Sequence, residues 1–120
     1  MKLRTKRIYE EPKRSDGRRI LIDRLWPRGV SKEAAQIDYW AKDVAPSHEL
    51  RKWYRHEPSK WPEFRKRYFA ELEANPEGVA RLRAELESHT ATLVFSSKEE
   101  RLNNAGALRE YLESQPARRS

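Results

Sequence analysis

The 120-residue chain has no cysteine, which excludes disulfides, thiolate nucleophiles and cysteine-held zinc or iron–sulfur centres. Glycine is sparse, with four residues. No P-loop and no Gly-x-Gly-x-x-Gly string occurs, so the two common glycine cradles for phosphates are missing. The three histidines, His48, His56 and His89, form no His-x-x-x-His pair. The acids near them complete no ligand spacing, so no metal is expected, and no cofactor motif is present. Ser96 lacks the Gly-x-Ser-x-Gly elbow of an activated serine. No apolar run approaches the roughly 20 residues of a membrane span. Met1-Lys2-Leu3-Arg4 lacks the long apolar core of a signal peptide. The expectation is a cytoplasmic protein without membrane contact.

Charge is what the chain has in excess. Charged residues make up 38% of it, against about 25% in an average domain. The hydrophobic share is 37%, yet it includes four Trp, five Tyr and three Phe, which bury much area per residue. One domain with a modest core is expected over residues 1–115, followed by a disordered basic tail at 116–120. The net charge of +7 is uneven: residues 1–30 hold ten Lys/Arg against four Asp/Glu. Such asymmetry suits an anionic partner such as phosphate, nucleotide or nucleic acid. It also suits a merely solubilising surface.

Residues 3–9 alternate in the manner of an edge strand. Asp16-Gly17 marks a turn, and Arg19–Asp23 reads as a second strand, antiparallel to the first if the loop is a hairpin. Ser31 caps a short helix. Residues 37–44 are ambiguous between strand and helix. Ser47 caps a helix running to about His56, and Ser59 caps the next. In that helix Trp61, Phe64, Tyr68 and Leu72 recur at helical spacing, with Glu63–Arg67 and Arg67–Glu71 as outer ion pairs. Pro76 opens a further helix, Ala91–Phe95 is a short apolar strand, and a last helix spans about Asn103–Ser114. Strands joined by long helical crossovers imply parallel pairing. The fold class is a small α/β domain, with a mostly parallel central sheet flanked by helices. Its two central strands then bring residues 23–28 and 96–104 to one edge.

Those two segments hold the candidate site, because ligands of open α/β sheets bind beyond the carboxyl ends of strands. Arg24 and Arg28 offer planar forks for phosphate or carboxylate, with Trp26 between them as a stacking ring. Alternatively Arg24 pairs with Asp23 or another carboxylate, and Trp26-Pro27 plugs the core. Asp23 is a weak candidate general base. In the second turn Ser96, Lys98, Asn103 and Asn104 supply charge, donors or a helix cap. Lys42, Ser47, His56 and Ser96 are second-tier candidates, though Ser47 is more simply a cap and His56 a charge at a helix end. Trp40 joins Trp26 as a stacking candidate, whereas Trp53 and Trp61 lie on apolar stripes.

The string Asp23-Arg24-Leu25-Trp26-Pro27-Arg28-Gly29 resembles the signature of the YeaO-like proteins, a branch of the family known as DUF488. The likeness runs through Trp40-Ala41-Lys42-Asp43, Ala45-Pro46-Ser47, Leu50-Arg51-Lys52-Trp53 and His56. It continues at Trp61, Phe64, Tyr68, Glu71-Leu72, Thr92–Phe95, Lys98 and Asn103-Asn104-Ala105. The resemblance implies a small bacterial α/β protein of a family with no established activity. Other branches carry a Cys-His-Arg cluster at the last strand–helix turn, where this chain has Leu102, Asn103 and Asn104. Their thiol or metal chemistry therefore does not carry over.

Three functions follow as expectations. The first is binding of a small phosphate- or nucleotide-like anion at the strand ends. The second is nucleic-acid binding through the basic N-terminal segment, and the third is a protein-interaction domain whose motif only locks the fold. Either a monomer or a homodimer is compatible with each.

Overall fold

The apolar run around Leu93 becomes strand β4, Thr90–Phe95, buried from Ala91 onward. A strand covered on both faces reads as continuously apolar, as in a parallel sheet. The computed structural model describes residues 2–87, 90–98 and 102–114. Within these, β4 pairs in parallel with β1, Lys2–Arg7, on one side and with β2, Arg18–Leu21, on the other. Strand β3, Tyr39–Trp40, pairs in parallel with the far side of β2. The order is β1-β4-β2-β3, and the domain is α/β with a parallel sheet. His89, residues 99–101 and the expected tail lie outside the described residues.

The hairpin between β1 and β2 does not form, because β4 lies between them. Asp16 instead ends a short 3-10 turn, Arg14–Asp16, and Gly17 redirects the chain at φ +66° against the start of β4.

Five helices are described. Helix α1, Lys32–Ala35, and α2, His48–Tyr54, are capped by Ser31 and Ser47, whose hydroxyls accept from Ala34 and Leu50 N–H. Helix α3 spans Trp61–Glu73, α4 Pro76–Leu86 and α5 Asn104–Ser114. Ser59 caps nothing: it sits inside a 3-10 turn, Pro58–Lys60, that runs directly into α3. Residues 37–44 divide between β3 and a 3-10 turn at Lys42–Val44. Glu63 does pair with Arg67 at 2.9 Å. Glu71 turns away from Arg67 and accepts from the Ser47 amide at 2.8 Å and hydroxyl at 2.5 Å.

Strand alternation sorts the apolar residues between two unequal faces. Leu3, Ile20, Ile22, Leu93 and Phe95 join the large core built with α2 to α5. Leu21 and Val94 face a small cluster with Ile8 and Ala35, against which Trp26, Val30, Ile37 and Trp40 pack. Trp53 and Trp61 pack half-buried on the large core. The small face also holds charge. Asp16 accepts from Lys6 Nζ at 3.1 Å, from an Arg19 guanidinium nitrogen at 2.7 Å and from the Lys13 amide at 3.0 Å. Arg19, 3% exposed, also donates from Nε to the Ala35 carbonyl at 2.9 Å.

In the large core, Tyr68 is fully buried and donates its hydroxyl to the Val44 carbonyl at 2.6 Å. Burial, then the nearby Glu71 and Asp23 charges, push its phenol far above the ordinary range. Tyr68→Phe leaves that carbonyl without its donor. The expected loss is about 1–3 kcal/mol, read as a lower urea midpoint at unchanged slope. An unchanged midpoint would mean that the hydroxyl contributes nothing to stability.

Candidate functional site

Strand β2 leaves the sheet after Ile22, and β4 leaves it beside that point at Ser96. Asp23 ties the two exits together. One carboxylate oxygen accepts from the Ser96 amide at 2.9 Å and hydroxyl at 2.6 Å, and the other accepts from Asn104 Nδ2 at 3.3 Å. Residues 23–28 and the start of α5 thus meet at one sheet edge. Asn103 starts α5: its side-chain oxygen accepts from Gly106 N–H at 2.8 Å. Arg7 braces the same turn from β1, donating to the Ser97 carbonyl at 2.8 Å.

Arg24 does not pair with Asp23. It reaches toward the carbonyls of Ala45 and Pro46 at 3.4 Å. Trp26 donates its indole N–H to the Val30 carbonyl at 2.6 Å and meets Trp40 edge to face at 5.5 Å. Trp40 in turn donates to the Asp23 carbonyl at 2.7 Å. The indole edges are therefore committed to holding the loop. Arg28 is exposed, and its carbonyl accepts from Tyr9 hydroxyl at 3.3 Å.

Helix α2 forms another wall. Arg51 and Tyr54 are three residues apart, so they share a side of the helix. The chain leaves α2 through two successive left-handed residues, Arg55 at φ 49° and His56 at φ 56°. Such conformations cost non-glycine residues of order 1–3 kcal/mol each and concentrate at functional sites. This exit places His56 at the mouth, with its ring 6.1 Å from that of Tyr54.

Together these segments enclose a cavity of about 420 Å³. Of the expected residues, Asp23, Arg24, Trp26, Arg28, Ser96, Asn103, Asn104 and His56 line it. Lys98, Lys42 and Ser47 are not among its lining residues. Lys98 is exposed, the Lys42 ammonium lies 4.8 Å over the Trp40 ring, and Ser47 is occupied as the α2 cap. Arg51, Tyr54 and Phe64 line it as well. Arg51 and Tyr54 share a side of the helix capped at Ser47, and Phe64 lies on the apolar stripe of α3.

Among the described residues, Arg24, Arg28 and Arg51 line this cavity against the single carboxylate of Asp23. None of the three is in an ion pair among the described residues. Several basic residues of β1 and β2 are engaged elsewhere: Arg18 with Glu85, Lys6 and Arg19 with Asp16, and Arg4 with the Ser15 carbonyl. No group of three metal-ligating side chains occurs among the described residues. No described helix is long and apolar enough to cross a membrane.

The uncharacterized protein YeaO of Escherichia coli K12 is 40% identical over 114 residues, 95% of this chain and 99% of YeaO. Uncharacterized proteins of Mycobacterium bovis and Mycobacterium tuberculosis are each 38% identical over 111 residues, 92% of this chain and 93% of theirs. No solved structure matches the chain. The profile of the inactive DUF488-N3 subclade matches residues 2–120, from the first strand to the C-terminus, and the chain belongs to that subclade.

Proposed function

We propose that the chain binds a small phosphate- or nucleotide-like anion in the cleft beyond β2 and β4, without turning it over. The observation that carries this reading is the convergence of Arg24, Arg28 and Arg51 on one cavity whose lone carboxylate among the described residues, Asp23, is spent on other bonds. Guanidinium forks grip phosphate bidentately. The start of α5 adds a favourable dipole for negative charge. Binding without turnover agrees with the description of the subclade as inactive. It also agrees with Asp23 acting as a brace, since both its oxygens already hold donors.

The test is a thermal-shift panel of orthophosphate, adenosine 5′-monophosphate and a short oligonucleotide, on wild type and Arg28→Ala. A ligand at 100 times its Kd stabilises by about 2.7 kcal/mol, which is several degrees in a domain of this size. The expected result is such a shift from a small anion, abolished in Arg28→Ala, whose own Tm stays within about 2 °C of wild type because Arg28 is exposed. A shift from the oligonucleotide alone, fading with salt, would transfer the case to nucleic-acid binding. No shift from any probe would overturn the anion reading and point to a structural motif and protein partners.

A further inference from the structure

We infer that the occupant of this cleft is an organic phosphate monoester: one phosphate carried on a flat, ring-sized apolar body. The inference rests on the anion reading and narrows it to a class.

Charge sets the number of phosphates. Among the described residues, three guanidiniums against one carboxylate leave two positive charges on the walls. A phosphate monoester carries about −1.5 to −2 at neutral pH, so it is matched. A second phosphate would bring charge that the walls do not balance, next to Asp23. The backbone gives the same answer. No glycine lines the cavity among the described residues, so the chain has no close-approach cradle in which amides wrap a diphosphate. Guanidinium forks suit a single tetrahedral group.

Volume and wall chemistry set the body. A cavity of about 420 Å³ falls within the roughly 300–1,000 Å³ that holds an organic ligand, in sites lined mostly by apolar and aromatic groups with a few polar ones. Free orthophosphate would leave much of this volume empty and Leu25 uncovered. Leu25 lines the cavity beside Arg24 and is 69% exposed, so its side chain is given to solvent at the mouth. A ring bound by its phosphate beneath would cover it.

Isothermal titration calorimetry on the full chain separates the parts. The probes are adenosine 5′-monophosphate, phenyl phosphate, orthophosphate, adenosine 5′-diphosphate and adenosine. The expected result is that at least one monoester binds ten times or more tightly than orthophosphate and than the diphosphate, with no heat from adenosine. Leu25→Ser, at an exposed position that does not threaten folding, weakens that monoester severalfold and leaves orthophosphate unchanged. Orthophosphate or diphosphate binding as tightly as the monoesters overturns the monoester inference and keeps the anion site. So does a Leu25→Ser variant that binds the monoester normally. Absence of binding by every anion overturns both readings.

Discussion

Gly17→Ala is expected to abolish cooperative folding. A Cβ built on Gly17 would lie 2.0 Å from the Thr90 carbonyl oxygen and 2.6 Å from its carbon. Both are backbone atoms, so no side-chain rotation relieves the contact. Thr90 opens β4, which pairs on both sides, and displacing it disturbs the whole sheet. The dihedrals of Gly17, φ 66° and ψ −138°, are themselves a region that glycine alone occupies readily. Together these effects put the cost above about 4 kcal/mol, against a whole-domain stability of about 5–15 kcal/mol. Circular dichroism melts read the outcome. Gly29→Ala is the control: its φ is +77°, but nothing lies within 4 Å of a built Cβ. It should cost only backbone strain, about 1–2 kcal/mol. Equal effects in the two variants would show that the close approach to Thr90 is unimportant.

Asp16→Ala is expected to cost about 3–5 kcal/mol, the usual result of removing one partner from a buried charge cluster. Lys6 and Arg19 would keep their charges in a face they cannot leave, with side chains 12% and 4% exposed. The same cluster gives the wild type an acid limit. Burial pushes the Asp16 carboxyl upward, but the Lys13 amide and the Lys6 and Arg19 charges outweigh it and hold it below its ordinary value. A carboxyl lowered in the folded state stabilises above its unfolded value, and that contribution is lost as pH falls through the folded one. Wild-type stability should therefore fall in acid below about pH 4. Asp16→Ala should show a shallower fall. Urea midpoints at pH 7 and pH 3 check both statements, and equal acid losses in the two proteins would remove Asp16 as their source.

The parallel pairing of β2 and β4 was legible, because the apolar runs Ile20–Ile22 and Ala91–Phe95 are joined by a long helical crossover. The meeting of their ends followed from it. The position of β1 was not legible. Its spacing from β2 fits a hairpin, and only the long-range fit of Gly17 against Thr90 shows that another strand takes the place between. Arg19 read as an ordinary strand residue. Its burial depends on Asp16 and Ala35, which come from a turn and a helix that periodicity does not position. Asp23 and Arg24 do not pair because both Asp23 oxygens are held by Ser96 and Asn104, while Arg24 reaches the Ala45 and Pro46 carbonyls. Those partners are distant in sequence, and proximity along the chain does not reveal them. The place of Arg51 was not legible, because an arginine on an amphipathic helix looks like solvated surface. Only packing brings α2 against the strand ends.

The sheet order also constrains how the chain acquires its structure. Lys2 lies beside Thr90, and β1 has no other partner in the sheet. β2 has, apart from β4, only the two-residue β3. Until the segment around Leu93 is available, the earlier strands have almost nothing to pair with. Loop closure between such distant segments must precede most of the reward, and topologies of this kind fold slowly. On a ribosome the N-terminal three-quarters would emerge with its strands lacking their central template and its core residues uncovered, a state prone to misassociation. A chain cut short before β4 is therefore expected to be a substrate for chaperones and proteases, since no smaller domain remains to fold on its own.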